Sequence, residues 1–565
     1  MIPGISHWEL LTIEKPARYL GGEVNQPPDK PEAELRVCLG FPDLYELGMS
    51  NIALKVLYEI LNADPRIAAE RVFSPWVDFE ALLRRKNLRL SSLETKRPLS
   101  DFDMVGITFP YEMTFTNILN MLELGGIPQD RKKREGLPIV VGGGPSACNP
   151  VVMGDFFDAI LIGEGEEAIL ELSEIVIAGK RNEKARAEIL LEISGIRGFW
   201  VPAVSKPVQR RIFLGFSEST PPLKPIVANI ETIHHRSPLE IFRGCVQGCR
   251  FCNAGYFYRP KRERPHERLT DWGNELLVNT GNDALGLVSL STSDYSQLPE
   301  LVKSFTEHKV FPDQTLAVPS LRMNGNTLLL LNSVSDLRKG GLTFAPEAGS
   351  QRLRDIIFKR ITEDEIFRVV EATKDSSYRT IKLYFMLGLP FENDADVAAI
   401  ADLVIRLESM ARRLKARKEF TISLSGFIPK PFTPFQWAPQ NSMAELKEKR
   451  LKICDLMKRS SAKLSWRDEF LCMLEAVLTR GDEKVGAVLR EARRLSCRFD
   501  GWTEHFHKEA WAQAFANSGV NPTDYIRAIP LSDPLPWDFI DFQVPREFLV
   551  AEYKRAAALG GAEIE

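Results

Sequence analysis

The chain has 565 residues, 44% apolar and 26% charged, with a formal net charge of −3. That length exceeds a single hydrophobic core and predicts a globular chain of two to four domains. There is no global basic field to draw in nucleic acid, and no apolar run long enough to span a bilayer.

The N-terminal stretch Met1-Ile-Pro-Gly-Ile-Ser-His7 lacks the basic-then-apolar pattern of a signal peptide, so a cytoplasmic location is expected. Residues 1–32 read as an extension ahead of the first domain, 33–200. There Leu35–Phe41 reads as a buried strand, Pro42–Ser50 as a loop and Asn51–Leu61 as a helix. Further strands are expected at Met104–Thr108, Pro138–Val141 and Ala159–Ile162, with a helix through Leu124. Short apolar runs alternating with helices predict a doubly wound, Rossmann-like parallel α/β sheet. Ligands of such sheets sit at the carboxyl ends of the strands. Those ends carry Tyr45, Gly48, Met49, Thr108, Gly142-Gly143-Gly144 and Gly163-Glu-Gly165, where glycines let a large flat ligand approach the backbone.

Residues 201–235 read as a linker. Beyond it comes Cys245-Val-Gln-Gly-Cys249-Arg-Phe-Cys252, after the apolar stretch Leu239-Glu-Ile-Phe242. Eight cysteines, three clustered and five scattered, argue for reduced thiols and a metal site rather than a disulfide framework. A 4Fe–4S cluster normally takes four thiolates. The next cysteine along is Cys454, so three cysteines here leave one iron open. Zinc with His234, His235 or His266 as fourth ligand is the rival reading of the residues, and buried free thiols are another.

The C-x3-C-x2-C spacing, with Phe251 before the last cysteine, resembles the radical S-adenosylmethionine (SAM) enzymes. The resemblance implies that SAM chelates the open iron through its amino and carboxylate groups. An electron from the cluster then breaks a carbon–sulfur bond to leave a 5′-deoxyadenosyl radical. It also implies a partial (β/α)6 barrel over 236–440. The remaining strands are placed at Leu285–Leu290, Thr315–Val318, Gly340–Ala345, Thr380–Met386 and Phe420–Leu424, with helices such as Thr362–Thr373 and Asp394–Arg413. Site residues are implied at the strand ends. Glu347 and Ser350 lie in a stretch similar to the Glu-x-Gly-Ser that meets SAM. Ser291 and Ser293 stand where the family's amino-group-binding stretch usually carries acidic residues. Gly388 lies beside the adenine, and Phe251 offers its backbone to the adenine edge. Arg352 and Arg354 could reach the SAM carboxylate or simply be solvated.

The first domain is similar to the cobalamin-binding domain that precedes many radical SAM barrels. The similarity rests on Gly142-Gly-Gly144, Pro150, Asp158 and Gly163-Glu-Gly-Glu166. It contains no histidine between Leu35 and Val201, so no imidazole from this domain would reach the cobalt. Phe41–Ser50, Arg243–Cys252, Pro346–Ser350 and Phe432-Thr-Pro-Phe-Gln-Trp437 together resemble a family of uncharacterised cobalamin-domain radical SAM proteins.

Residues 441–565 read as a helical C-terminal region. It has a basic helix at Met443–Arg459, further helices over 467–495 broken at Arg480-Gly-Asp482, and an aromatic segment with His505 and His507. Cys454, Cys472 and Cys497 are expected to be core thiols rather than a second cluster.

The leading expectation is therefore a radical SAM enzyme using a 4Fe–4S cluster, SAM and cobalamin. It would catalyse methyl transfer to an unactivated carbon or a radical rearrangement, with an electron donor such as flavodoxin or ferredoxin. No catalytic residue can be named. RNA methylthiolation would need three cysteines in the first domain, which has only Cys38 and Cys148. RNA methylation without sulfur stays open, as does a non-enzymatic Fe–S or zinc scaffold.

Overall fold

β1, Leu35–Phe41, is almost wholly buried, which is why its sequence is a continuous apolar run rather than an alternating one. It pairs in parallel with β2 (Ile67–Phe73) on one side and β3 (Met104–Thr108) on the other. β4 (Ile139–Gly143) and β5 (Ala159–Leu161) continue the parallel sheet, and β6 (Phe199–Trp200) closes it antiparallel. The order β2-β1-β3-β4-β5-β6 reverses direction at β1/β3, the kind of switch point where doubly wound sheets bind ligands. These are features of a computed structural model that describes residues 2–204, 206–233, 235–328, 341–374, 376 and 378–564.

One face of this sheet is covered by helices Ile52–Ala63, Ala168–Arg181 and Arg186–Ile193. The other is covered by Phe115–Leu124 and by helices from far along the chain, Glu469–Arg480 and Glu483–Arg494. The break at Arg480-Gly-Asp482 lies where the sequence places it; Asp482 caps the second helix through the Lys484 N–H. Ile2, Ile5, Leu10, Ile13 and Tyr19 are buried in the same core, so the N-terminal extension is part of the first domain's packing.

The second parallel assembly begins with β7 (Ser237–Glu240), β8 (Ala284–Val288) and β9 (Thr315–Ala317). They form a sheet in the order β9-β8-β7. β10 (Leu342–Glu347), β11 (Thr380–Leu387) and β12 (Glu419–Gly426) form a second one. The predicted strand start at Gly340 lies outside the described residues. A seventh strand, β13 (Lys463–Trp466), pairs in parallel with β12, so the barrel sheet runs past residue 440 into the region expected to be helical. Leu239, Leu285, Leu287, Phe344, Leu383 and Ile422 fill the barrel core.

The expected linker also carries structure. Val208–Gln209 pairs in parallel with Ile540–Asp541. Around it Trp437, Trp537, Phe542 and Tyr553 form an aromatic core with Tyr256 and Phe257, just after the cysteine loop.

Candidate active site

The carboxyl ends of the two sheets face each other across a cavity of about 450 Å³. One wall is the first sheet: Leu39 and Gly40 from β1, Gly106 to Thr108 from β3, Val141 to Gly143 from β4 and Leu161 from β5. The opposite wall is the mouth of the barrel: Glu240, Phe242, Arg243 and Gly244, then Phe257, Tyr258 and Val288 to Leu290. Gly244 directly precedes Cys245, so the cavity reaches the base of the cysteine loop. Among the described residues no histidine lines it.

Thr108, Gly142, Gly143, Gly144, Gly163 and Gly165 all line this cavity. The glycines are not equivalent. A Cβ on Gly142 would come within 2.2 Å of the Phe109 ring, and on Gly163 within 2.1 Å of the Arg211 carbonyl, so the fold itself consumes that space. On Gly144, at φ +128°, a Cβ would stand 2.8 Å from the Phe109 carbonyl. At Gly143 the nearest atom to a Cβ would be Leu161 Cβ at 3.4 Å, and at Gly165 Leu57 Cδ2 at 3.3 Å. These two keep the cradle open.

Tyr45, Gly48 and Met49 do not line it. The loop after β1 folds into a helical turn, Tyr45–Gly48, that packs on Phe73 at the end of β2. Tyr45 is buried, its hydroxyl donating to Glu23 and accepting from the Asn229 N–H. Met49 Sδ accepts from Arg71 at 3.0 Å.

Arg243 fastens the two walls together. It donates to Glu164 at 3.1 Å, Glu166 at 2.7 Å and Glu240 at 2.8 Å. Arg262 adds a second bond pair to Glu164. Burial alone would weaken the Arg243 charge, but the carboxylates of Glu240, Glu166 and Glu164 outweigh it and raise its pKa well above normal. The Gly-Glu-Gly-Glu loop thus supplies the inter-domain clamp as well as cavity wall.

The cysteine loop is braced from below. Arg250, between Cys249 and Phe251, is buried; its Nε and Nη2 donate to Glu552 Oε2 at 3.1 and 2.9 Å and its Nη1 to the Ile356 carbonyl at 2.6 Å. Gln247 donates to Asp294 at the end of β8. Cys249 is buried, while Cys245 and Cys252 are half-buried. Burial raises the Cys245 thiol, and burial with the neighbouring Cys249 and Cys245 pushes Cys252 up to about 12. The apoprotein therefore does not hold these two as thiolates; iron would have to displace their protons. Among the described residues no three His, Cys, Asp or Glu side chains converge on one metal ion. His266 Nδ1 lies 3.3 Å from Glu267, and His234 falls outside the described residues.

At the barrel mouth, Ser291 Oγ is buried without a hydrogen-bond partner among the described residues, a group free to meet a ligand. Ser293 Oγ accepts from the Arg322 N–H at 3.1 Å. Glu347 ends β10 at a register shift and in the left-handed region, φ 69°, which is uncommon and costly for a residue with a side chain. Its carboxylate pairs with Lys359 at 3.1 Å. Lys359, a residue the sequence did not flag, also stands 5.9 Å from the Phe251 ring. Burial would lower its pKa, but Glu347 and then Cys249 reverse the direction and hold it charged.

Ser350 spends its hydroxyl on its helix: it caps the Leu353 N–H at 3.1 Å and donates to Asp396. Gly388, at φ 75°, is required by Asn441, whose Oδ1 would lie 2.7 Å from a Cβ there. Arg352 pairs with Asp396, and Arg354 is fully buried on the carbonyls of Ala348 and Gly349, so it shapes the turn after Glu347. Cys472 and Cys497 sit in different cores, and Cys454 lies half-buried on the helix Met443–Leu456.

Residues 53–202 match the family described as "Radical SAM proteins, N-terminal", and residues 239–404 match the "Radical SAM superfamily". The second match holds the cysteine loop and β7 to β11. The chain belongs to the radical SAM superfamily, whose members use a 4Fe–4S cluster and SAM. It is 25% identical over 460 residues to an uncharacterised protein of Methanocaldococcus jannaschii, covering 80% of this chain and 90% of that one. Among solved structures it is similar to TsrM, a radical SAM methyltransferase of Kitasatospora setae with cobalamin and a [4Fe–4S] cluster bound. That likeness has a TM-score of 0.46 and 16% identity, over 69% of this chain and 72% of that one. It is also similar to OxsB, a cobalamin-dependent SAM radical enzyme, with a TM-score of 0.47 and 11% identity over 93% of this chain and 76% of that one.

Proposed function

We propose that this protein is a cobalamin-dependent radical SAM enzyme that transfers a methyl group to an unactivated carbon. The observation that carries the reading is the cavity between the two sheets, glycine-walled on one side and bounded on the other by the base of the cysteine loop. In this reading Cys245, Cys249 and Cys252 hold the cluster. Ser291 and Glu347 meet SAM, and Phe251 contributes its backbone. Thr108, Gly143 and Gly165 face the corrinoid. Bound together, the cluster with SAM would supply radical chemistry and the corrinoid methyl-group transfer.

The chain's own part is positioning and exclusion. The Glu347 carboxylate accepts hydrogen bonds from an ammonium or ribose hydroxyl, while its ion pair with Lys359 fixes its direction. The Ser291 hydroxyl gains the partner it lacks among the described residues. Phe242, Phe257, Val288 and Leu290 make the barrel side of the cavity largely apolar and keep water from the reacting groups. The electron comes from a donor of flavodoxin or ferredoxin type. We place the first, cofactor-holding domain at 33–200 and the barrel from 236, with β13 as its outer strand.

The test is purification without oxygen from cells supplied with cobalamin, followed by iron analysis and the corrinoid absorption spectrum. Iron with one corrinoid per chain is expected, together with transfer of label from methyl-deuterated SAM to product. Iron without corrinoid, from cells in which a known corrinoid protein loads normally, would overturn the cobalamin reading.

A further inference from the structure

The helix Ile52–Ala63 has cavities on two sides. Leu54 lines the large cavity between the sheets and also a separate pocket of about 220 Å³. That pocket is walled by Pro27, Met49, Leu54, Ala63, Pro225 and Ile226, an apolar enclosure below the usual size for drug-like ligands. Into this setting the chain places three cations, Lys55, Arg71 and Lys224.

Their states differ. Arg71 is fully buried and committed: its Nε donates to Glu94 at 2.7 Å, its Nη2 lies 3.0 Å from Glu23, and its Nη1 points at Met49 Sδ. Lys55 and Lys224 have no hydrogen-bond or ion-pair partner among the described residues. Lys224 is exposed at the mouth, and Lys55 is half-buried. The other charge at the pocket is Glu59, one turn beyond Lys55. Its position invites an i,i+4 ion pair, yet none forms; Glu59 instead borders a neighbouring hollow as well. Burial, then the Arg71 charge, lowers the pKa of Lys55 to about 8.

An ammonium desolvated beside a guanidinium, and not paired with the pocket's own carboxylate Glu59 among the described residues, is an arrangement that costs free energy unless something completes it. We propose that this pocket binds a small anion, a carboxylate or phosphate group on a short apolar body, with its charged head between Lys55 and Lys224. The site is separate from the corrinoid cavity and does not depend on it. Because Leu54 belongs to both walls, an occupant would press on the helix that also shapes the larger cavity.

The site is tested by calorimetric titration of the full-length, anaerobically purified protein with inorganic phosphate in one arm and butyrate in the other. Saturable binding of at least one probe is expected. Lys55→Met should weaken it at least tenfold, Lys55→Arg should keep it within about threefold, and exposed Lys224→Ser should weaken it with no change in thermal midpoint. Binding of phosphate alone would assign a phosphorylated ligand, and of butyrate alone a carboxylate. Binding of neither probe, or binding indifferent to both lysine changes, would overturn the proposal.

Discussion

Removing the Glu552 carboxylate should loosen the cluster loop although Glu552 touches no cysteine. Arg250 is buried and receives two hydrogen bonds' worth of charge compensation from Glu552 Oε2. Its remaining Nη1 bond goes to the Ile356 carbonyl, and its own backbone is tied to Ile357 and Phe435. Deleting one partner of a buried, hydrogen-bonded pair costs about 3–5 kcal/mol because the other charge stays buried and uncompensated. At about 1.4 kcal/mol per decade, that raises the population of a displaced loop by roughly 10² to 4 × 10³. Glu552→Gln, which keeps an acceptor, should cost about 1.5–3 kcal/mol, the range for bonds to charged groups. The assay is iron per chain after anaerobic reconstitution, with the rate of iron loss to a ferrous chelator. Glu552→Ala should lower the first and speed the second. The double change Arg250→Met with Glu552→Leu should recover thermal stability through apolar packing. If Glu552→Ala loads iron fully and loses it at the wild-type rate, the clamp is not what positions the loop.

Gly143→Val should leave the fold intact yet fill the cradle, seen as a wild-type melting curve with corrinoid absorption lost. Gly142→Ala should instead destabilise the protein itself, because its Cβ would meet Phe109 at 2.2 Å. Ser291→Ala should leave stability nearly unchanged, since the hydroxyl has no partner among the described residues, while weakening SAM binding by several-fold in equilibrium dialysis. Asp500, buried among Thr116 and Trp511, has its pKa raised to about 6 by burial. The folded state then binds the proton more tightly than the unfolded one, so this group's contribution favours folding at low pH and is lost as pH rises from about 4 to 6. The difference is at most about 3 kcal/mol at about 1.36 kcal/mol per pKa unit. Asp500→Asn should stabilise the protein at pH 7 and not at pH 4; melts at the two pH values check the sign.

The architecture was legible where burial wrote apolar runs, as at Leu35–Phe41 and Met104–Thr108. β2 escaped notice because Glu70 and Arg71 interrupt its run. Both are buried nonetheless, Glu70 accepting from Ser92 and Thr95 and Arg71 pairing with Glu94. β13 was hidden by its shortness and exposure. The strand-end glycines that line the cavity were readable, because local backbone chemistry is written locally. Lys359, Glu552 and the Arg243 clamp were not readable, since their meaning lies in partners brought together only by folding. Tyr45 to Met49 followed the right strand but turned toward Phe73, a choice set by tertiary packing.

The Arg250–Glu552 bridge also sets an order of events during synthesis. The two residues are 302 positions apart. At about 5–20 residues per second, roughly 15–60 s separate the emergence of the cysteine loop from that of its anchor. Through that interval the three thiols belong to a growing chain without its brace. The cysteine loop therefore gains this brace only after residue 552 has been made, and its final geometry is a late product of folding.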